Sequence, residues 1–435
     1  MLTTFSHEAP TTVRAYLQQV LYRISGSYWF IPTLMVLGAM LLSQFSIWID
    51  REYGDRWLRG LWLASLNQPD GARALLATVA GSMITVAGVT FSLTILAVSH
   101  ASTHFGPRLL DNFMHDRGNQ VTLGTFVATF LYCLMVLRVV RGEDVIANDG
   151  LAMDVFVPQL SLLIAFLLTL GSIAELIYFI HHVPDSIHIS SVLRRLSIDV
   201  SEKLTKLYPE RMGASEEVAI EEMPRTFEPQ VRVPSHADGY LQGIDDVELI
   251  NLARKKESIV RLVRRPGDFI RKDEIIAEIN HCEGWTEKDS DTIRHAFTIG
   301  FTRTPTQDVF FILNELVEVA VRAMSPGVND PFTAMQCIDW LSAALVQLSQ
   351  RDLPGRCRRD EEGRICIITT EVTLQQFVDV ALRQLIPYIK DDPNVTRYFI
   401  QSMNRTLDIS TVGELNEWIQ AAIFELENQA GRQTS

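Results

Sequence analysis

Little in this sequence is equipped for chemistry on a substrate. Its five cysteines, Cys133, Cys282, Cys337, Cys357 and Cys366, form no C-x-x-C pair, so the spacing of a zinc ligand set or a redox dithiol is missing. They are odd in number and scattered, which argues against a disulfide framework, and free thiols in the C-terminal half fit a reducing compartment. There is no G-x-S-x-G, no H-E-x-x-H, no Walker A loop and no G-x-G-x-x-G after a strand. The common templates for acyl transfer, metalloprotease and nucleotide chemistry are therefore absent. Neither an enzyme nor a cofactor is expected. Basic residues are also scarce: 39 Lys and Arg face 52 Asp and Glu, a net charge of −13. A nucleic-acid partner needs clustered basic residues and is not expected.

Apolar sequence is what the chain has in excess, at 47% of residues and a mean hydropathy of +0.11. Nearly all the long runs fall in the first 182 residues. Four of them, 28–49, 72–98, 121–140 and 155–180, reach the ~20 residues a helix needs to cross a bilayer. The first follows a polar tail with Arg14 and Arg23 but is too long, and lacks the small-residue cleavage site, for a signal peptide. Tyr28, Trp29 and Trp48 bracket it as interfacial aromatics do. "RWLRGLWLASL" (56–66) alternates Trp, Leu and Arg like a short helix lying in the interface. The acidic loop 141–150 reads as the outer side, against modestly basic segments with Arg108, Arg117, Arg194 and Arg195, although Arg51, Arg56 and Arg59 blur the asymmetry. Both termini are expected in the cytoplasm.

Within the second run, Gly81, Thr85, Gly88 and Ser92 recur at steps of four, three and four and share one helical face, with Ser82 beside them. The fourth run repeats the theme with Ser161, Ala165, Thr169, Ser172 and Glu175, and the third adds Gly124, Thr125 and Thr129. Small and hydroxylated residues either let helices pack closely in lipid or line a water or ion path. Glu175 favours the second reading, because an ionisable group inside a span is costly and is a functional candidate by default. His100 and His104 stand at i, i+4, with His115, His181, His182 and His188 near the same membrane face. No cysteine or carboxylate completes a ligand geometry around them, so no metal site is expected.

After the fourth run, residues 185–208 show an amphipathic pattern that would continue as a stalk helix, and "GASEEVAIEEMPRTFEPQ" (213–230) reads as an acidic, proline-bearing linker. Short strands at 239–244, 258–263 and 274–279 then surround one helix at 246–256, with a tight turn at Pro266-Gly267-Asp268. The cadence "GYLQGID … RPGDFIRKDEIIAEI" looks like a barrel-sandwich hybrid, although Arg254, Lys255 and Lys256 end a helix where a carrier domain would present its modified lysine. From Ser290 the chain reads as helical, interrupted by a hairpin pairing 356–359 with 364–369. Thr304, Pro305 and Gln307 read as a capping box opening a buried helix, and later helices are expected at 373–390, 394–407 and 415–429. The joint "RAMSPGVNDPFTA" (322–334) ends one helix at Pro326, with Gly327 suited to the left-handed conformation, and starts the next at Asp330-Pro331. Glu315 and Glu318 read as a solvated pair. Arg303, Gln307, Asp308, Arg322, Asn329 and Asp330 form the candidate ligand-binding or structural cluster, since free N–H groups at helix starts can hold an anion.

"GVTFSLTILAVSHASTHFGPRLLDNFMHDRGNQVTLGTFVATFLYCLMVLR" and "RTPTQDVFFILNELVEVAVRAMSPGVNDPFTAMQCIDWL", with the "GYLQGID … RPGDF" cadence, resemble the bacterial predicted membrane protein family called domain of unknown function 2254. The resemblance spans nearly the whole chain and implies a bacterial membrane protein; it implies no activity. The expected fold is a membrane protein with four transmembrane helices followed by a soluble α+β part. Its expected parts are a tail at 1–26, the membrane domain at 27–182, stalk and linker at 183–230, a small β module at 231–283, an α-helical domain with one hairpin at 284–430, and a tail at 431–435. Two functions stay open. One is an oligomeric ion channel or small-solute conduit in the inner membrane, its stripe formed by Gly81, Ser82, Thr85, Gly88, Ser92, Ser172 and Glu175, with a cytoplasmic regulatory or assembly domain. The other is a membrane-anchored sensory or interaction module. The expected partners are the lipid bilayer, further copies of the chain, and a small ion or a protein.

Overall fold

The computed structural model describes residues 29–53, 68–106, 116–142, 155–207, 227–281, 283–353 and 355–431. The N-terminal tail, Tyr28, the 56–66 segment, Arg108, His115, most of the acidic loop and of the linker, and Cys282 lie outside these residues. The chain divides into two units, Met1–His188 and Ile189–Ser435.

Four long helices form the first unit: α1 (Phe30–Tyr53), α2 (Pro69–Phe105), α3 (Arg117–Leu137) and α4 (Gln159–Ile187). Each is long and apolar enough to cross a membrane. α3 packs against the other three. The absence of a side chain at Gly124 is what lets α1 close on it, because a Cβ there would press on Met35 and Pro32. α2 runs antiparallel to α3. Ala72, Leu76 and Ala80 pack with Tyr132, Cys133, Val136 and Val140, and one step along, Met83 and Ala87 pack with Phe126. Arg73, in the first turns of α2, donates to the Val140 carbonyl just past the end of α3 at 3.3 Å.

The second unit begins with α5 (Ile189–Leu207). The amphipathic helix expected from Asp185 starts later, since Asp185, Ser186 and Ile187 complete α4. Its apolar face, Val192, Leu193, Leu196, Val200 and Leu204, is buried, and it packs against α8 (Val309–Ala323) and α9 (Pro331–Ser349).

The strands are β1 (Val231–Pro234), β2 (Gly239–Ile244), β3 (Val260–Leu262), β4 (Phe269–Ile270), β5 (Ile275–Ile279), β6 (Phe297–Gly300), β7 (Cys357–Arg359) and β8 (Ile365–Ile368). Among the described residues they form no closed barrel. They make a five-stranded sheet in the order β1-β5-β3-β8-β7 and a three-stranded sheet in the order β4-β2-β6. The hairpin β7–β8 joins the sheet of the β module, with β8 lying parallel to β3. The apolar core of these sheets also takes in α6 (Asp246–Lys255) and α7 (Glu287–Ala296) through Leu249, Leu252 and Ile293.

The segment expected as one helix over 373–390 is instead α10 (Leu374–Val378), a π-turn (Asp379–Arg383) and α11 (Ile386–Ile389). Pro387 lacks the N–H that an uninterrupted ladder needs. Two longer helices, α12 (Pro393–Ile409) and α13 (Gly413–Gly431), close the unit.

Candidate functional site

The stripe residues separate onto two surfaces of the first unit. On α2, Leu76, Ala80, Met83 and Ala87 turn inward, while Gly81, Ser82, Thr85, Gly88 and Ser92 are exposed. A Cβ at Gly81 or Gly88 would meet nothing within 4 Å. The hydroxyls are spent locally: Ser82, Thr85 and Ser92 each donate at 2.8 Å to the carbonyl four residues back. Among the described residues of the first unit this face therefore has no partner, and the close-packing reading of it does not apply to contacts inside that unit.

Ser172 and Glu175 on α4 turn the other way, into α3. Ser172 and Thr129 hydroxyls lie 3.1 Å apart, and Thr122 donates to the Glu175 carboxylate at 2.6 Å. At the end of the same seam, Asp116 accepts from the Gly118 N–H at 2.8 Å and holds His182 at 2.9 Å. Tyr178 stacks on that imidazole with 5.0 Å between centroids. Gly118 leaves the room His182 occupies, since a Cβ would lie 2.6 Å from its Nε2.

The opposite end of the bundle carries a buried polar knot. Asp50, on α1, accepts from the Leu160 and Ser161 N–H groups at 2.9 Å each and from the Ser161 hydroxyl at 2.7 Å. It thus caps α4, whose own cap position is Pro158. Ser46 bridges the Ser161 and Tyr132 hydroxyls at 3.0 and 2.9 Å. Sequence reading missed Asp50, Ser46 and Tyr132 because the knot joins three helices distant along the chain. The signal available was an aspartate in the last turn of an apolar run.

In the second unit the candidate cluster divides between the two ends of α8, whose 15 residues span ~22 Å. At the first end the cap is Asp308 and not Thr304. Asp308 accepts from the Phe311 N–H at 3.2 Å and pairs with Arg303 at 2.6 Å. Gln307 is unavailable for a capping box, because its amide exchanges two hydrogen bonds with the Ile244 backbone at 2.9 and 3.0 Å. Burial pushes the Asp308 carboxyl above the usual carboxylate range, against the opposing pull of Arg303. Gly267, at φ +98°, passes so close that a Cβ would collide with the Asp308 carboxylate. These residues fasten β2, the 266–268 turn and α8 together.

At the other end Arg322 pairs with Glu318 at 3.2 Å. Asp330 caps α9 through the Thr333 N–H at 3.1 Å and its hydroxyl at 2.6 Å. The left-handed residue of the joint is Asn329, at φ +47°. Gly327 is not in that region. Asparagine is the non-glycine residue best suited to the conformation, and its N–H donates to the Ser325 carbonyl at 2.9 Å. Asn329→Ala is expected to cost about 1 kcal/mol in thermal unfolding and Asn329→Gly close to nothing.

A cleft of about 460 Å3 lies between Pro234–His236, Lys272–Asp273 and α7. Its arginine, Arg294, is already held by Glu287 at 2.7 Å and Asp291 at 2.6 Å.

The family described as "Predicted membrane protein (DUF2254)" matches residues 25–405. Uncharacterized proteins of Mycobacterium bovis and Mycobacterium tuberculosis are each 32% identical over 403 residues, covering 88% of this chain and 72% of theirs. No solved structure gives a significant match.

Proposed function

The chain belongs to the DUF2254 family of predicted membrane proteins, and from that premise we propose that it forms a homo-oligomeric conduit for an ion or small solute. The bacterial inner membrane is its place in this reading, with both termini cytoplasmic and residues 189–435 serving as the regulatory and assembly unit. The observation that carries the proposal is the bare face of α2: Gly81, Ser82, Thr85, Gly88 and Ser92 are exposed, with open space over both glycines.

Lipid tails are as apolar as leucine, so helices associate in membranes through close packing and polar contacts, and small residues permit both. A face with two glycines and three back-bonded hydroxyls offers lipid few side-chain atoms, whereas copies of itself can approach closely. Around an axis, such faces present hydroxyl oxygens to a passing solute.

Cysteine placed at Ser82 is expected to cross-link between copies in native membranes, while cysteine at Val79, on the packed side, is not. Purified protein in liposomes is expected to pass ions down a gradient, and Thr85→Leu is expected to abolish that flux. Protein that neither cross-links nor conducts would instead be a membrane-anchored interaction module.

A further inference from the structure

We propose that the junction of α2, α3 and α4 inside one copy of the chain binds a small monovalent cation of the Na+ class through oxygen ligands. The site goes beyond the conduit reading, because it lies on the packed side of α2, away from the bare face.

The register of the helices brings its residues together. Ala87 packs with Phe126, and seven residues are two helical turns, which return to the same face ~10 Å along. Stepping forward from Ala87 on α2 reaches Thr94, and stepping back from Phe126 on the antiparallel α3 reaches Asn119, at the same level. Thr90 lies one turn before Thr94, and Thr122 one turn after Asn119, on adjoining positions of the same faces. Leu176 of α4 packs against the Phe126 cluster, and its neighbour Glu175 receives the Thr122 hydroxyl at 2.6 Å. Asn119, Thr90, Thr94 and Thr122 are each 5% exposed or less.

The chemistry of these groups is one-sided. Thr90 and Thr94 donate their hydroxyl protons to the carbonyls of Ala87 and Thr90, both at 2.9 Å, and Thr122 donates to Glu175. All three hydroxyls are left with lone pairs only. The buried Oδ1 of Asn119 receives no hydrogen bond. Among the described residues no basic side chain pairs with Glu175, since His182 is taken by Asp116. The junction thus brings one orphaned amide oxygen and three hydroxyls with spare lone pairs toward a carboxylate in an apolar span, where an unsatisfied polar group is costly. A hard cation would satisfy the Asn119 oxygen and use the spare lone pairs beside it, since hydroxyl, amide and carboxylate oxygens are the ligands it prefers. One carboxylate balances a single positive charge, which favours a monovalent ion over Ca2+ or Mg2+.

The test is thermal unfolding of the full chain in detergent at constant ionic strength, with NaCl, KCl or choline chloride, joined to equilibrium binding of radioactive Na+. Wild-type protein should show a saturable rise of Tm with Na+ that choline does not reproduce, and bind Na+ directly. Asn119→Ala and Thr94→Val should each raise the half-saturating Na+ concentration about tenfold, equal to ~1.4 kcal/mol. Glu175→Gln should abolish binding, and Ser342→Ala in the second unit, whose hydroxyl bonds only the Asp339 carbonyl, should leave it unchanged. Equal Tm in Na+ and choline together with no bound Na+ overturns the proposal. So does Na+ binding that survives both Asn119→Ala and Glu175→Gln, or a stabilisation that follows pH and not Na+. Binding is read without any flux, so a protein that binds Na+ but does not conduct refutes only the conduit.

Discussion

Asp50→Ala is expected to lower the stability of the membrane unit by about 3 kcal/mol, from the loss of a charged cap and the stranding of its donors. The carboxylate satisfies two backbone N–H groups and one hydroxyl at the start of α4. Only 7% of Asp50 is exposed, so water cannot easily replace it. Thermal unfolding in detergent micelles reads the effect, and Asp50→Asn, which keeps one acceptor oxygen, should recover about half of it. An alanine variant as stable as wild type would mean that packing alone sets the start of α4.

Gly267→Ala is expected to destabilise the second unit by about 4 kcal/mol, combining backbone strain with damage to a buried ion pair. At φ +98° alanine is strained whatever the space, and its Cβ would displace the Asp308 carboxylate. That carboxylate holds Arg303 and caps α8 at once, so the helix start and the 301–308 segment should loosen together. Hydrogen exchange is the discriminating measurement: protection should fall in β2 and at the start of α8 while the membrane helices stay protected. Asp308→Ala should reproduce the pattern by leaving Arg303 unpaired. Loss of protection spread evenly over the whole unit would refute a local fastening.

The membrane helices were readable because about twenty apolar residues in a row admit few other structures. The strands at 239–244 and 274–279 and the helix at 246–256 were readable for a related reason: their signals are local in sequence. What sequence reading missed depends on partners far along the chain. Thr304-Pro305-x-Gln307 has the spacing of a capping box, but Gln307 is engaged by Ile244 and the cap passes to Asp308. Gly327 looked like the left-handed residue, yet the hydrogen bonds of the joint put Asn329 there. The stripe on α2 is one helical face by its spacing, but periodicity cannot say which face turns outward. The partners of α3 decide that. Asp50 directly follows the first apolar run, and its role as the cap of another helix depends on α4, far along the chain.

The parallel pairing of β3 with β8 bears on the order in which the chain can fold. Val260 lies opposite Ile367, so the middle of the five-stranded sheet joins strands separated by α8 and α9. Such long-range pairing raises the contact order and slows folding. During synthesis β1, β3 and β5 emerge well before β8, and until then β3 has an open edge of unpaired N–H and C=O groups that invites pairing with another chain. A nascent chain ending between α9 and β7 should therefore be prone to aggregate. The Thr370 hydroxyl, which donates to the Leu262 carbonyl at 3.4 Å, would be among the last contacts made as β8 closes that edge.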